Sequence, residues 1–213
     1  DYINAGDIYQ ANMTFRATAL AHGHPAALYA RIRPRAGAGY GGLIDDGERQ
    51  ILSFSPELFF ALKDGRLTTK PMKGTARRLS DDTADAAARA HLQSDPKQRA
   101  ENLMIVDLLR NDIGRVSRPG SVSVPSLFAV ESFPAVHHLV STIHGELDAR
   151  WQGVDLLRAC FPGGSITGAP KIRAMEIIDE LEPVRRNAYC GSIGYLSQHG
   201  RMDTSICIRT LIA

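Results

Sequence analysis

The order in which strand-like and helix-like segments follow one another constrains this chain most. Over residues 28–69 the apolar residues come in short runs punctuated by glycine, proline and aspartate, as in Gly41-Gly42-Leu43-Ile44-Asp45-Asp46-Gly47 and Lys63-Asp64-Gly65-Arg66. That punctuation predicts antiparallel strands joined by turns. Over residues 79–116 the pattern changes to that of two helices. Ser80 and the acidic residues after it can cap the first; Asp95 followed by Pro96 is a cap-then-proline start for the second, which Gly114 ends. Strand signals return over residues 121–130, where Val122, Val124 and Leu127 stand among Ser and Pro. A helix beginning near Trp151 leads into a glycine-rich turn, and Pro170 opens a further helix to about residue 181, with Ile172, Met175, Ile178 and Leu181 at helical spacing. Strands over residues 189–196 and 202–212 close the chain. Strands and helices in blocks, without strict alternation, predict an α+β fold. There is no internal repeat and no low-complexity segment.

With 44% hydrophobic and 23% charged residues over 213 positions, the chain has the make-up of a globular domain able to bury a core. One domain over residues 1–213 is the expectation. A net charge of +2 spread over mixed-sign segments offers no basic stripe of the kind that grips nucleic acid. The three cysteines, Cys160, Cys190 and Cys207, are far apart and form no CxxC, which suits neither a disulfide framework nor a zinc site. No apolar run approaches the roughly 18 residues of a membrane span, and no signal-like segment opens the chain, so a soluble, cytoplasmic protein is expected. The first residue is Asp1, and Ala213 directly follows the strand-like run 205–212, so both ends are expected to continue into something longer.

Several segments could carry chemistry. The turn Gly163-Gly164-Ser165-Ile166-Thr167-Gly168-Ala169 has the glycine separation of a phosphate-binding loop, but Ala169-Pro170 stands where Lys-Ser/Thr is needed, which argues against a nucleotide site. Backbone N–H groups at a helix start, beside the Ser165 and Thr167 hydroxyls, could instead seat a carboxylate, although such a turn is often only a turn. Lys73, in Lys70-Pro71-Met72-Lys73-Gly74-Thr75, follows a strand-like run. A lone lysine is usually a solvated charge, and only a desolvated or cation-adjacent one offers a free amine. Glu57 after Ser55-Pro56 reads as an exposed turn acid, Glu101 as a residue complementing the helix dipole, and His138 as an ordinary core or surface histidine. Arg209 lies inside the apolar run 206–212, where a buried guanidinium requires an anion.

Taken together, Ser55-Pro56-Glu57, Pro71-Met72-Lys73-Gly74-Thr75, the run 99–112 around Glu101-Asn102-Leu103-Met104, His138-Leu139-Val140-Ser141, Gly164-Ser165-Ile166-Thr167-Gly168-Ala169-Pro170-Lys171, Gly191-Ser192-Ile193-Gly194-Tyr195 and Met202-Asp203-Thr204-Ser205 resemble the chorismate-binding enzyme family over essentially the whole chain. That family includes anthranilate, aminodeoxychorismate, isochorismate and salicylate synthases. The resemblance implies two β-sheets with outer helices, Mg²⁺ as cofactor and chorismate as substrate. Lysine at position 73, where anthranilate-forming members typically carry alanine, moves the resemblance to the aminodeoxychorismate-forming branch; Met72 replaces the usual isoleucine. By the same resemblance Lys73 is the nucleophile and Glu57 the proton donor, and Glu101 is a magnesium ligand. Gly74, Thr75, His138 and Ser165 then line the ring and its carboxylate, and Tyr189 and Arg209 hold the enolpyruvyl carboxylate. A glutamine amidotransferase is the implied ammonia source.

In one respect the chain departs from the family pattern: the glycine-rich segment and glutamate-bearing helix that supply further magnesium carboxylates are not among these residues, nor is an amino-terminal region. The chain by itself is therefore expected to be inactive. The rival readings are another chorismate enzyme, of anthranilate or isochorismate/salicylate type, and a non-catalytic remnant of the fold. Lys73 argues against the anthranilate case, and the joint presence of Lys73, Glu57 and Glu101 argues against the remnant.

Overall fold

The structure is a computed structural model describing residues 1–213. In chain order its elements are β1 (Gln10–Ala11), α1 (Pro25–Ala36), β2 (Gly42–Asp45), β3 (Gln50–Ser53), β4 (Leu58–Lys63), β5 (Arg66–Thr69), β6 (Met72–Arg77), α2 (Asp82–Ser94), α3 (Pro96–Gly114), β7 (Ser123–Ser132) and β8 (Val136–Glu146). They continue with α4 (Gly153–Cys160), α5 (Gly164–Thr167), β9 (Gly168–Ala169), α6 (Lys171–Leu181), β10 (Ser192–Leu196), β11 (Met202–Ile206) and β12 (Thr210–Ile212). The α+β class expected from the block pattern is the class observed. Two compact units share the chain: residues 1–58, 162–194 and 204–213 form one, and residues 59–161 and 195–203 the other.

In the first unit β3 is the middle strand of the sheet β12-β3-β2, with Leu52 opposite both Leu43 and Leu211. A two-residue ladder joins β1 to β9. Helix α6 buries Ala174 and Ile177 against Ile8, with Tyr2 and Ala11 packed at the margin. In the second unit β8 is the organising strand: β6 and then β5 pair along one edge, and β7 pairs along the other. The β4–β5 connection is a two-residue turn in which Asp64 and Gly65 both take positive φ, as a tight hairpin requires. Helices α2 and α3 meet at Asp95, which ends α2 by donating its N–H to His91 and starts α3 by accepting from the Gln98 N–H at 2.8 Å. Along α3 the buried residues are Asn102, Ile105, Val106, Leu109, Asp112 and Ile113, one face at the spacing of helical turns, and this helix lies against β8 and β6.

The structure differs from the sequence expectation in particular places. Residues 25–36, partly read as strand, are helical. His24 Nδ1 accepts from the Ala26 N–H, Pro25 occupies the first turn and Gly37 closes the helix in a left-handed conformation. Pro34 inside it and the alternating arginines disguise the helical period. Strand β8 was not legible because His137, His138, Ser141, Thr142 and His144 interrupt its apolar pattern, yet His137, His138 and Ser141 are buried. The closing strand over 202–212 is two strands in fact: the chain leaves regular structure after Ile206, and Arg209 at φ 49° turns it into the sheet with β3. All three cysteines are buried and none is in a disulfide. No helix is long and apolar enough to cross a membrane.

Candidate functional site

Lys73 stands on a β-bulge. Met72 pairs with Val140 and Thr75 with His138, so β6 advances three residues while β8 advances two, and the extra residue falls in Lys73-Gly74. A bulge bends the strand and re-aims the side chains it carries. Gly74 makes it possible: its φ is 102°, and a Cβ there would come 3.0 Å from Gln98 Oε1 and 3.2 Å from both Leu139 Cβ and Leu92 Cδ1. Lys73 is half-buried and takes part in none of the ion pairs of the structure, whereas Lys70 Nζ lies 2.5 Å from Glu131.

Thr75 and His138 are brought together by their register, with Oγ1 2.9 Å from Nδ1. Glu101 is half-buried in the second turn of α3, and its neighbour Asn102 is fully buried. Asn102 donates Nδ2–H to the Leu139 carbonyl at 3.1 Å and accepts from the Ser141 hydroxyl at 2.6 Å; Ser141 Oγ in turn accepts from the Phe128 N–H. These bonds fix the helix bearing Glu101 against the strand bearing His138. They explain why two fully buried positions of the quoted motifs are polar, and removing one partner from such a buried pair costs about 1–3 kcal/mol.

A second polar chain ties α2 to the same strand. Ser132 Oγ lies 2.7 Å from His137 Nδ1, and His137 Nε2 lies 3.1 Å from Asp85 Oδ1. With Asp85 ionised, the ring presents an N–H to it at Nε2. Asp85 also accepts from the Leu79 N–H and from Arg78 Nε. The Leu79 N–H above all, together with Arg78 and His137, holds its carboxyl down at about 2. Its commitment to Arg78 and the backbone makes this string a structural tie between α2, β6 and β8.

In the other unit Glu57 is buried, 5% exposed, which corrects the reading of an exposed turn acid. Ser55 and Glu57 close a tight local turn in which the Glu57 N–H donates to Ser55 Oγ at 3.2 Å, and the Ile206 N–H bonds to the Glu57 carbonyl. Residues 163–169 are all buried. They form the single helical turn α5, where the Thr167 hydroxyl returns to the Gly163 carbonyl, followed by the ladder to β1. Gly168 is required at φ 141°, because a Cβ would sit 2.1 Å from the Gln10 carbonyl oxygen. Ser165 is therefore carried by a buried, tightly packed turn.

Tyr189 is half-buried, and burial, followed by the neighbouring Cys190, raises its hydroxyl above the usual range. Cys190 at φ 62° donates its N–H to Cys207, and the Cys207 N–H bonds to Gly191; two residues thus face one in a bulge of the kind that normally has glycine first. Arg209 is exposed, not buried inside a strand as its apolar neighbours suggested, and its carbonyl accepts from the Phe54 N–H. Lys73, Gly74, Thr75, Glu101 and His138 thus belong to one unit and Glu57, Ser165, Tyr189 and Arg209 to the other. No three His, Cys, Asp or Glu side chains converge to hold a metal ion.

Sequence reasoning passed over Glu182 and Arg186, an ion pair with side chains 5% and 15% exposed. Their spacing after a helix end, with Pro183 between, was the available signal.

The chorismate binding enzyme family matches residues 1–213, and the chain belongs to that family. It is 58% identical over 212 residues to aminodeoxychorismate synthase component 1 of Klebsiella aerogenes, covering 100% of this chain and 47% of that protein. To the protein of the same name from Escherichia coli K12 it is 54% identical over 213 residues, again covering 100% of this chain and 47% of the relative. Among solved structures, anthranilate synthase component I from Streptococcus pneumoniae superimposes with a TM-score of 0.90 at 41% identity, covering 99% of this chain and 46% of that one. The chain spans about half the length of the curated relatives it matches.

Proposed function

We propose that these residues are part of a chorismate-binding catalytic domain of aminodeoxychorismate synthase component 1 type, which converts chorismate and ammonia to 4-amino-4-deoxychorismate in the cytoplasm. The observation that carries the reading is Lys73, presented on the β6 bulge in a chain 58% identical to a protein of that name. The unprotonated amine of Lys73 adds to C2 of the substrate ring, the ring double bonds shift, and the C4–O bond breaks. Glu57 supplies the proton with which the hydroxyl departs as water. Ammonia then forms the C4–N bond, the double bonds shift back, the C2–Nζ bond breaks, and the proton shed by the new amine returns Glu57 to its acid form.

Gly74, Thr75, His138 and Ser165 are assigned to the ring and its carboxylate, and Tyr189 and Arg209 to the enolpyruvyl carboxylate. Mg²⁺, when bound, neutralises carboxylate charge on the substrate, and Glu101 is its ligand from these residues; magnesium commonly takes one or two carboxylates and completes its shell with water and substrate oxygens. The word component in the relatives' names supports a second subunit, and a glutamine amidotransferase is the proposed ammonia source.

The test is product analysis on the full natural polypeptide containing these 213 residues, supplied with chorismate, Mg²⁺ and ammonium salts. Aminodeoxychorismate is the expected product; anthranilate or isochorismate would assign the chain to another branch.

A further inference from the structure

We propose that Arg186 is a positioning residue that couples Tyr189 to the glycine-rich turn carrying Ser165, so that the two are held as one seat for the carboxylate-bearing side of the substrate. The inference rests on the reading above for the identity of that substrate, while the coupling stands on geometry within one unit.

Arg186 binds three separate stretches of chain. Its Nε and Nη2 grip Glu182 at 2.9 and 2.5 Å, its Nη1 donates to the Ile166 carbonyl at 2.7 Å, and its Nη2 also donates to the Asn12 carbonyl at 2.6 Å. Ile166 lies between Ser165 and Thr167 in the glycine-rich turn. The carbonyl of Arg186 accepts from the Tyr189 N–H at 3.1 Å. One residue therefore sets the turn through its side chain and Tyr189 through its backbone. Glu182 orients the guanidinium and is itself committed: it accepts from the Thr14 N–H at 2.7 Å and the Thr14 hydroxyl at 3.0 Å. The Asn12 N–H closes the set by bonding to the Thr167 carbonyl.

A guanidinium spent in this way has no pair of N–H groups left with which to grip a ligand carboxylate, so Arg186 acts through Ser165 and Tyr189 and not on the substrate. The planar fork makes four hydrogen bonds here, two to the carboxylate and one to each of two backbone carbonyls, one more than the three N–H groups of an ammonium can supply. A lysine ammonium is a point charge that must abandon some of them.

The experiment compares Arg186→Lys with the unsubstituted full natural polypeptide. Its KM for chorismate should rise about tenfold or more while kcat changes by less than about threefold and the KM for ammonia stays put, the signature of lost substrate binding. Amide hydrogen exchange should show residues 163–169 and 187–191 losing protection together. Thr14→Val, which weakens the support of Glu182 but leaves the guanidinium in place, serves as the stability control. It should lower the melting temperature without raising the chorismate KM.

An unchanged chorismate KM in folded Arg186→Lys protein overturns the proposal, as does loss of protection in only one of the two segments. An equal rise in KM in the Thr14→Val control would reduce the effect to stability and overturn it as well. Absence of chorismate turnover in the unsubstituted protein would instead bring down the functional reading, and the exchange experiment alone would then decide the coupling.

Discussion

Thr75 and His138 face each other across β6 and β8 with the threonine Oγ1 2.9 Å from the histidine Nδ1, immediately after the bulge that carries Lys73. The hydroxyl fixes the ring and so ties the edge of the bulge to the organising strand. Thr75→Val keeps the shape and loses this bond. It should raise the chorismate KM by roughly three- to tenfold, the equivalent of about one hydrogen bond, in steady-state assays of the full natural polypeptide. An unaltered KM would leave the pair without a part in substrate binding.

Lys73→Ala should reduce aminodeoxychorismate formation about 100-fold or more if the amine is the covalent nucleophile, because that gain is typical of a group acting directly in the transition state. Direct attack of ammonia at C2 remains open to the variant and would appear as an anthranilate-type product. Mass spectrometry of protein trapped during turnover should place the adduct on the peptide containing Lys73. Wild-type rate and product in the alanine variant would reduce the lysine to a charged wall.

Gly74→Ala tests the bulge itself. An L-residue at φ 102° is strained, and the new methyl meets Leu139 and Leu92 at 3.2 Å, so the loss of stability should be about 1–3 kcal/mol. Denaturant titration measures it, and a substitution without cost would mean that β6 can form the bulge without glycine.

Asp85 makes a prediction about acid. Its carboxyl is held down from 3.8 to about 2 in the folded protein, by the Leu79 N–H first and by Arg78 and His137. A depressed carboxylate contributes stability that is present above its unfolded value and lost as pH falls through the folded one. The contribution should therefore vanish between about pH 4 and pH 2. Asp85→Asn should flatten the stability profile in that window while lowering stability at neutral pH; an identical acid limb in both proteins would show that the tie contributes nothing.

Arg209→Lys should raise the chorismate KM about tenfold and leave the ammonia KM unchanged, since an ammonium substitutes poorly for a guanidinium on a carboxylate. Equal chorismate affinity in the lysine variant would remove Arg209 from the substrate contacts.

The sequence by itself determined the elements whose signals are local. Asp95-Pro96 fixed the start of α3, Asp64-Gly65 the β4–β5 hairpin, and the motifs around Lys73, Glu101, His138 and Ser165 the family. Each depends on capping, turn chemistry or side chains that neighbours in sequence already specify. Tertiary structure alone decided the rest. β8 is a strand in spite of its histidines because β5, β6 and β7 satisfy its backbone and Asp85, Ser132 and Asn102 satisfy polar groups along it. The bulge at Lys73 exists only as a difference in count between β6 and β8, a quantity that neither strand possesses separately. Glu57 is buried and Arg209 exposed against the reading of their neighbours. Burial depends on what the chain packs there, and the strand expected to enclose Arg209 ends at Ile206, with Arg209 itself left-handed just before β12. The role of Arg186 was equally out of reach, because the carbonyls of Asn12 and Ile166 carry no mark in the sequence and meet its guanidinium only when distant segments close around it.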